Sequence, residues 1–363
     1  MHLSVKPLKV QAAAQLLATS VDTLRRMVDE SGIKVARDES GPRTRLFSIE
    51  NIFELARYRA TRRSKDRNAE KTPVVATVYA PCEGVGATTL ASNFASIFAL
   101  KGLRVLVVDL DFQANLTHTF GYHSELTSEE ALERGIPLAK VIEYNFANLT
   151  RNYSNERVAL QQVVKKPFGD CGPHLVPADL TLDRLNTLPT SETIAGRNDE
   201  SAVIELLKEG LARKDPYFDV SDYDVILFDV AAARTSITQG ALFASDYIVS
   251  PVSMEKFSTR ALSYLCGVIA EMQEHFDRSP ELILVGNFFD PNRVRRISQL
   301  MTITQSYQDA WLDRSVRHSD DLTNAMPGEA DLPLVLAKPG SQAAIDLREC
   351  VDALLDRVGL VGR

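Results

Sequence analysis

Cysteine is scarce: of 363 residues only Cys82, Cys171, Cys266 and Cys350 are thiols, far apart and without a CxxC or a His/Cys cluster. That excludes a zinc framework and a disulfide scaffold, and the four read as reduced thiols. No apolar run approaches the roughly 18 residues that a membrane-spanning helix needs. The first eleven residues lack the basic start and apolar stretch of a secretory signal. Leu354–Gly359 is short and mixed in charge, so no amphipathic membrane helix closes the chain. A cytoplasmic protein without a membrane partner is expected. The six histidines are scattered and read as surface or packing residues; only His118 stands near a motif.

What is present begins with size and charge. At 363 residues the chain exceeds the length at which single cores usually stop growing, which predicts two units. The net charge of −7 hides an asymmetry: residues 1–72 hold 15 Lys+Arg against 9 Asp+Glu, a surplus of +6, and the remainder carries −13. A basic front on an acidic body predicts that nucleic acid, if bound, is met by the front.

Within the front, Ala13–Leu17 places apolar residues on one side of a short helix, and Ala18-Thr19-Ser20 reads as a tight turn ending in an N-cap serine. Val21, Leu24 and Met27 then fall on one helix face, with Asp22, Arg25 and Arg26 outward. Two short helices joined this way present the second to a DNA groove. The segment resembles the helix-turn-helix of MerR-like domains, with Ala18 where glycine is usual. Gly41–Phe47 resembles their wing, and Ser48–Ile52 the capped helix after it. The expected DNA contacts are Ser20, Thr23, Arg25, Arg26, Arg43 and Arg45, the wing arginines against phosphate. The competing reading is an amphipathic hairpin with a solvated arginine face. The predicted layout is a small α-rich winged unit over 1–56, a charged linker over 57–72 whose arginines extend the basic surface or form a plain helical spacer, and a body over 73–363.

The body opens with a β-branched run, Val74–Tyr79, and continues into a helical pattern over Leu90–Leu100 that ends at Lys101-Gly102. Between them lies Pro81-Cys82-Glu83-Gly84-Val85-Gly86-Ala87-Thr88-Thr89. Strand, glycine loop and helix is the context in which backbone N–H groups close on phosphate oxygens. The GxxxxGK[ST] pattern itself is not met, since Pro81 replaces the first glycine and Ala87 the lysine. A Val-rich strand ends in Asp109 and runs into Leu110-Asp111-Phe112-Gln113-Ala114-Asn115. A third, Tyr223–Asp229, also ends in an acid.

As an ordered set these segments resemble the deviant Walker family of ParA, MinD and RepA-type proteins, whose loop reads KGGVGKTT. Cys82 stands at that family's signature lysine and Ala87 at its P-loop lysine, while Gly84, Val85, Gly86, Thr88 and Thr89 match. Residues 109–115 resemble its DxDPQxN segment, 244–258 its ADYVLIPV strand with the adjoining segment, 282–287 the strand whose asparagine meets adenine, and 333–343 its last strand–helix junction. The resemblance implies an α/β fold, a mostly parallel doubly wound P-loop sheet. It also implies ATP or ADP held by Gly84, Val85, Gly86, Thr88, Thr89 and Asn287, Mg²⁺ held by Thr88, Asp109 and Asp229, and an attacking water positioned by Asp111.

The stretch 116–122 and Leu175–Asp179 look more like plasmid-type ParA and RepA proteins than MinD. That likeness implies a nucleoid-associated DNA partition protein that represses its own operon, with DNA, a ParB-like centromere-binding protein and a second copy of itself as partners. With both loop cations absent, hydrolysis is expected to be impaired, since one such contact is worth about 2.7–4 kcal/mol in the transition state. The alternative is a pseudo-ATPase that serves as a DNA-binding regulator or scaffold without an ATP cycle. A cation from elsewhere, with Lys256 the nameable candidate, is a third reading, and the 290–296 segment adds a basic patch or one exposed helix face.

Overall fold

The computed structural model describes residues 7–38, 44–63, 72–150, 157–183, 185, 202–253, 259–276, 279–289, 305–323 and 332–360. The front holds β1 (Leu8–Lys9), α1 (Val10–Leu16), α2 (Val21–Ser31), β2 (Ala36–Arg37), β3 (Arg45–Phe47) and α3 (Ile49–Arg63). Its strands form an antiparallel ribbon in the order β1-β3-β2. Leu24 and Met27 are buried as the spacing predicts, and the Ser20 hydroxyl accepts the Thr23 amide to cap α2. Ala18, in the turn, sits at φ +46, a left-handed conformation that explains why glycine suits the position.

The body contributes β4 (Val74–Val78), α4 (Ala87–Leu100), β5 (Val105–Asp109), α5 (Asn115–Thr119), α6 (Ser128–Glu133), α7 (Leu160–Val163), β6 (His174–Val176) and α8 (Ala202–Leu211). It continues with β7 (Val225–Asp229), α9 (Ser236–Ala244), β8 (Tyr247–Ser253), α10 (Thr259–Phe276), β9 (Glu281–Phe289), β10 (Trp311–Arg317), α11 (Asp320–Thr323), α12 (Leu334–Ala337) and α13 (Gln342–Arg357). Seven strands pair in parallel in the order β10-β9-β8-β4-β7-β5-β6. The strands read as near-continuous apolar runs because both faces are covered. Val105, Val107, Val225 and Leu227 point to the face that carries α4 and α13, whereas Leu106, Val108, Ile226 and Phe228 point to the face covered by α8, α9 and α10. This is the parallel doubly wound sheet that the sequence predicts. Among the described residues no helix is long and apolar enough to cross a membrane.

Of the expected linker over 57–72, residues 57–63 form the last turns of α3, and 64–71 lie outside the described residues. Helix α3 runs unbroken to Arg63, and the front shares one continuous buried cluster with the body, from Leu24 and Phe53 through Phe94 to Leu355. Phe53 stacks on Phe168 with ring centroids 5.7 Å apart. Small residues let α3 close on the turn after α4: a Cβ on Gly102 would lie 2.3 Å from the Ala60 methyl. Arg59 then donates to the carbonyls of Leu17 and, at 3.2 Å, of Leu100. Arg57 lies 3.9 Å from Asp224, and Arg62 pairs with Glu30. These arginines fasten the front to the body and to itself instead of extending a free basic surface.

Candidate functional site

The loop 80–86 leaves the end of β4 and turns into α4 through two glycines in left-handed conformations, Gly84 at φ +70 and Gly86 at φ +86. Gly86 has a second reason to lack a side chain: a Cβ there would lie 2.4 Å from Asn287 Nδ2 and 3.2 Å from the Phe288 ring. Helix α4 starts with no side-chain cap and no acid in its first turn. Its first amides, which no helix pairs internally, therefore have no side chain of the helix start to cap them, which suits an anion. Thr88 and Thr89 occupy this first turn, and the Thr89 carbonyl accepts from Asn93 Nδ2 at 2.7 Å and Ser92 Oγ at 3.1 Å.

Asn287, at the far end of β9, is buried, and its Nδ2 donates to the Val85 carbonyl at 2.8 Å. Its Nδ2 is thus committed to holding the loop. Its Oδ1 is buried with no hydrogen-bond partner among the described residues.

The carboxylates gather beside the loop. Asp109 closes β5 and Asp229 closes β7, as direct register partners of adjacent strands. Both are fully buried. Asp109 is well served: Oδ2 accepts from the Thr117 amide at 2.9 Å and hydroxyl at 2.7 Å, and Oδ1 from the Asp111 amide at 3.2 Å. Among the described residues neither oxygen of Asp229 has a hydrogen-bond partner. Burial pushes Asp109 up to about 7, partly offset by the Thr117 bonds. Burial, and next the Asp109 charge, hold Asp229 well above the usual carboxylate range. The nearby Thr88 hydroxyl, short of hydrogen-bond geometry, pulls it the other way. Asp111 is also raised, by burial and then by Glu83, and its Oδ1 accepts the Gln113 amide at 2.9 Å.

Two buried carboxylates side by side are costly to ionise together unless a cation joins them. The two open oxygens of Asp229 beside the Thr88 hydroxyl fit a divalent ion. Asp109, already serving three donors, is the less open of the pair. The loop and helix end fit phosphates, but Cys82 and Ala87 supply no charge, and Glu83 adds a negative one.

The structure brings Gly84, Val85, Gly86, Thr88, Thr89, Asp109, Asp111, Asp229 and Asn287 together at one end of the sheet. His118 does not join them; its Nε2 meets Ser124 Oγ at 2.8 Å and Glu125 Oε2 at 3.1 Å. Ser20, Thr23, Arg25, Arg26 and Arg45 lie in the front, distant in sequence and function. Arg43, Lys256 and the 290–296 patch lie outside the described residues. Sequence reasoning missed Thr117, whose role as clamp on Asp109 comes from the fold of α5 and carries no motif.

The family model described as an AAA domain (AAA_31) matches residues 75–282, more than half of the chain. The chain belongs to the ParA/MinD-like P-loop family. Among curated relatives, protein IncC of Escherichia coli is 22% identical over 76% of this ParA-like chain, which spans 67% of IncC. Cell division protein PomZ of Myxococcus xanthus is 25% identical, covering 76% of each chain. The sporulation initiation inhibitor Soj of Bacillus subtilis is 24% identical over 72% of this chain and 90% of Soj.

Solved structures agree on the fold. A plasmid partition protein from Borrelia burgdorferi bound to AMPPNP matches with a TM-score of 0.57 at 20% identity, over 79% of this chain and 100% of that one. Cobyrinic acid a,c-diamide synthase from Mycobacterium smegmatis with bound ADP and magnesium gives 0.57 at 22%, covering 81% and 97%. A further partition protein gives 0.59 at 19% and covers 98% of this ParA-like chain, front included, and 93% of its own.

Proposed function

We propose that this chain is a ParA-like DNA partition protein whose front is a winged helix-turn-helix unit that binds DNA, its own operator included. Its body keeps a Mg²⁺-nucleotide site with weakened hydrolysis. The observation that carries the reading is the buried Asp229 beside Asp109 and Thr88, without a hydrogen-bond partner among the described residues: a carboxylate kept so at a desolvation cost suits a cation partner better than a purely structural role. Partition names among the relatives and the family fold support the cellular role.

In this reading the amides of the loop and of α4 hold the phosphates, Thr88 and Asp229 hold the ion, Asn287 keeps the loop closed on its glycines, and Asp111 orients a water. Mg²⁺ would neutralise phosphate charge when bound. A second copy of the chain and a ParB-like centromere-binding partner complete the assembly. With both loop lysines absent, binding outlasts turnover.

A second reading, a pseudo-ATPase that regulates or scaffolds on DNA, is favoured by Ala87, Cys82 and Glu83 together. One experiment separates the two: loss rates of the parent replicon after in-frame deletion, complemented by the unaltered chain, by Asp229→Asn, or by Arg25→Ala with Arg26→Ala. Partition predicts raised loss on deletion and failed rescue by both variants. Full rescue by Asp229→Asn with failure of the arginine variant supports the regulator, and unchanged loss on deletion removes the partition role.

A further inference from the structure

The face of α2 that points outward is not an open basic surface. Its exposed residues include Asp22, Arg25, Arg26, Asp29 and Glu30, a net charge of −1. The groups expected to touch DNA are largely engaged with one another. Arg25 Nη1 meets Asp22 Oδ1 at 3.3 Å. Arg45, on the central strand β3 of the ribbon, is latched onto α2 twice, through the Asp29 carboxylate and, at 3.4 Å, the Arg25 carbonyl. The Ser20 hydroxyl donates to Thr23 Oγ1 at 2.9 Å while accepting the Thr23 amide. Arg26, exposed on the same face, has no hydrogen bond or ion pair among the described residues.

We propose that Asp22 and Asp29 mask the front's DNA-facing arginines, so that Arg25 and Arg45 must exchange a carboxylate for a phosphate before they contribute to DNA binding. This rests on the reading that the front binds DNA. The chemistry is a competition between anions for the same two guanidinium groups. The Asp22 side chain is 92% exposed and that of Asp29 63% exposed, so water screens both pairs and a phosphate can displace either carboxylate. Counterions leave the DNA only where a phosphate is neutralised, and an arginine held by a carboxylate neutralises none, so it adds little to affinity or to salt dependence until it is freed. Arg26 makes the first contact, and Arg25 and Arg45 engage only where a phosphate is close enough to win the exchange. The device holds down non-specific binding and favours DNA whose backbone follows the front closely.

The test uses the full chain and a fluorescein-labelled DNA duplex of mixed sequence, with affinity measured by anisotropy across a salt series. Asp29→Asn keeps shape and exposure while removing the competing charge. It should tighten binding about tenfold at low salt and steepen the log–log salt slope by about 0.9 per freed arginine. With Asp22→Asn added, the slope should steepen by about 1.8 in all. In an Arg45→Ala background Asp29→Asn should change affinity by less than about twofold, because the masked partner is gone. Circular dichroism of each variant confirms that the front stays folded.

Unchanged affinity in Asp29→Asn overturns the proposal, and so does an equal gain with and without Arg45, which would mark a general charge effect. If Arg25→Ala with Arg26→Ala binds the duplex as well as the unaltered chain does, the DNA-binding reading of the front fails and the masking fails with it. That result differs from the first two, in which the arginine variant still loses binding.

Discussion

Asp109 and Asp229 lie directly opposite each other on β5 and β7, and among the described residues only Asp109 has hydrogen-bond partners. The pair makes stability depend on pH with a definite sign. In the unfolded chain an aspartate loses its proton near pH 4, whereas Asp109 in the fold holds it to about 7 and Asp229 well above the usual range. Between about pH 4 and 7 the folded state therefore binds more protons, and stability falls as pH rises. Asp229→Asn should flatten that fall relative to the unaltered chain and add on the order of 2 kcal/mol at pH 8. Millimolar Mg²⁺ should restore stability to the unaltered chain but not to the variant. Urea melts across pH, with and without Mg²⁺, check both.

The loop is held from β9. Asn287→Ala removes the amide that satisfies the Val85 carbonyl and should cost about 1–2 kcal/mol. Gly86→Ala should cost more, because φ +86 stays strained even if Asn287 moves aside. Thermal melts of the two single variants and the double variant decide it: the double should not recover the stability of Asn287→Ala alone.

Arg59 ties the end of α1 to the end of α4. Arg59→Ala strands the Leu17 and Leu100 carbonyls and should cost about 1–3 kcal/mol. It should also uncouple the front, so that calorimetry resolves two transitions where the unaltered chain shows one.

Ala18 carries a left-handed backbone conformation without the freedom of glycine. Ala18→Gly should therefore stabilise the front by up to about 1 kcal/mol, read as a rise in the urea midpoint. A fall would mean that the turn tolerates alanine without strain.

Much of the body was legible in the sequence because its signals are local. Val-rich runs ending in Asp109 and Asp229 mark buried parallel strands, and glycines between a strand and a helix mark the phosphate loop. Strand β10 escaped notice: Trp311–Arg317 is charged, irregularly buried and bulged against β9, as an edge strand can be. The Asn287 amide on Val85 and the Thr117 clamp on Asp109 span 202 and 8 residues, and neither spacing has a pattern. The charged run from Arg57 read as a linker because polarity alone cannot distinguish a solvated spacer from a helix fastened by Ala60 and Arg59. The masking of Arg45 by Asp29 was hidden for the same reason, since net charge counts groups without their partners.

Whether the site keeps its metal side and loop amides while lacking the cations that drive turnover is read most directly by isothermal titration of Mg²⁺–ATP into the unaltered chain and into Ala87→Lys, with phosphate release measured on both. The expected result is Mg²⁺-dependent binding to the unaltered chain with slow release, and tighter binding with release raised about 10²–10³-fold in the lysine variant. Steady release by the unaltered chain at the rate of the lysine variant, or binding that ignores Mg²⁺, would contradict it.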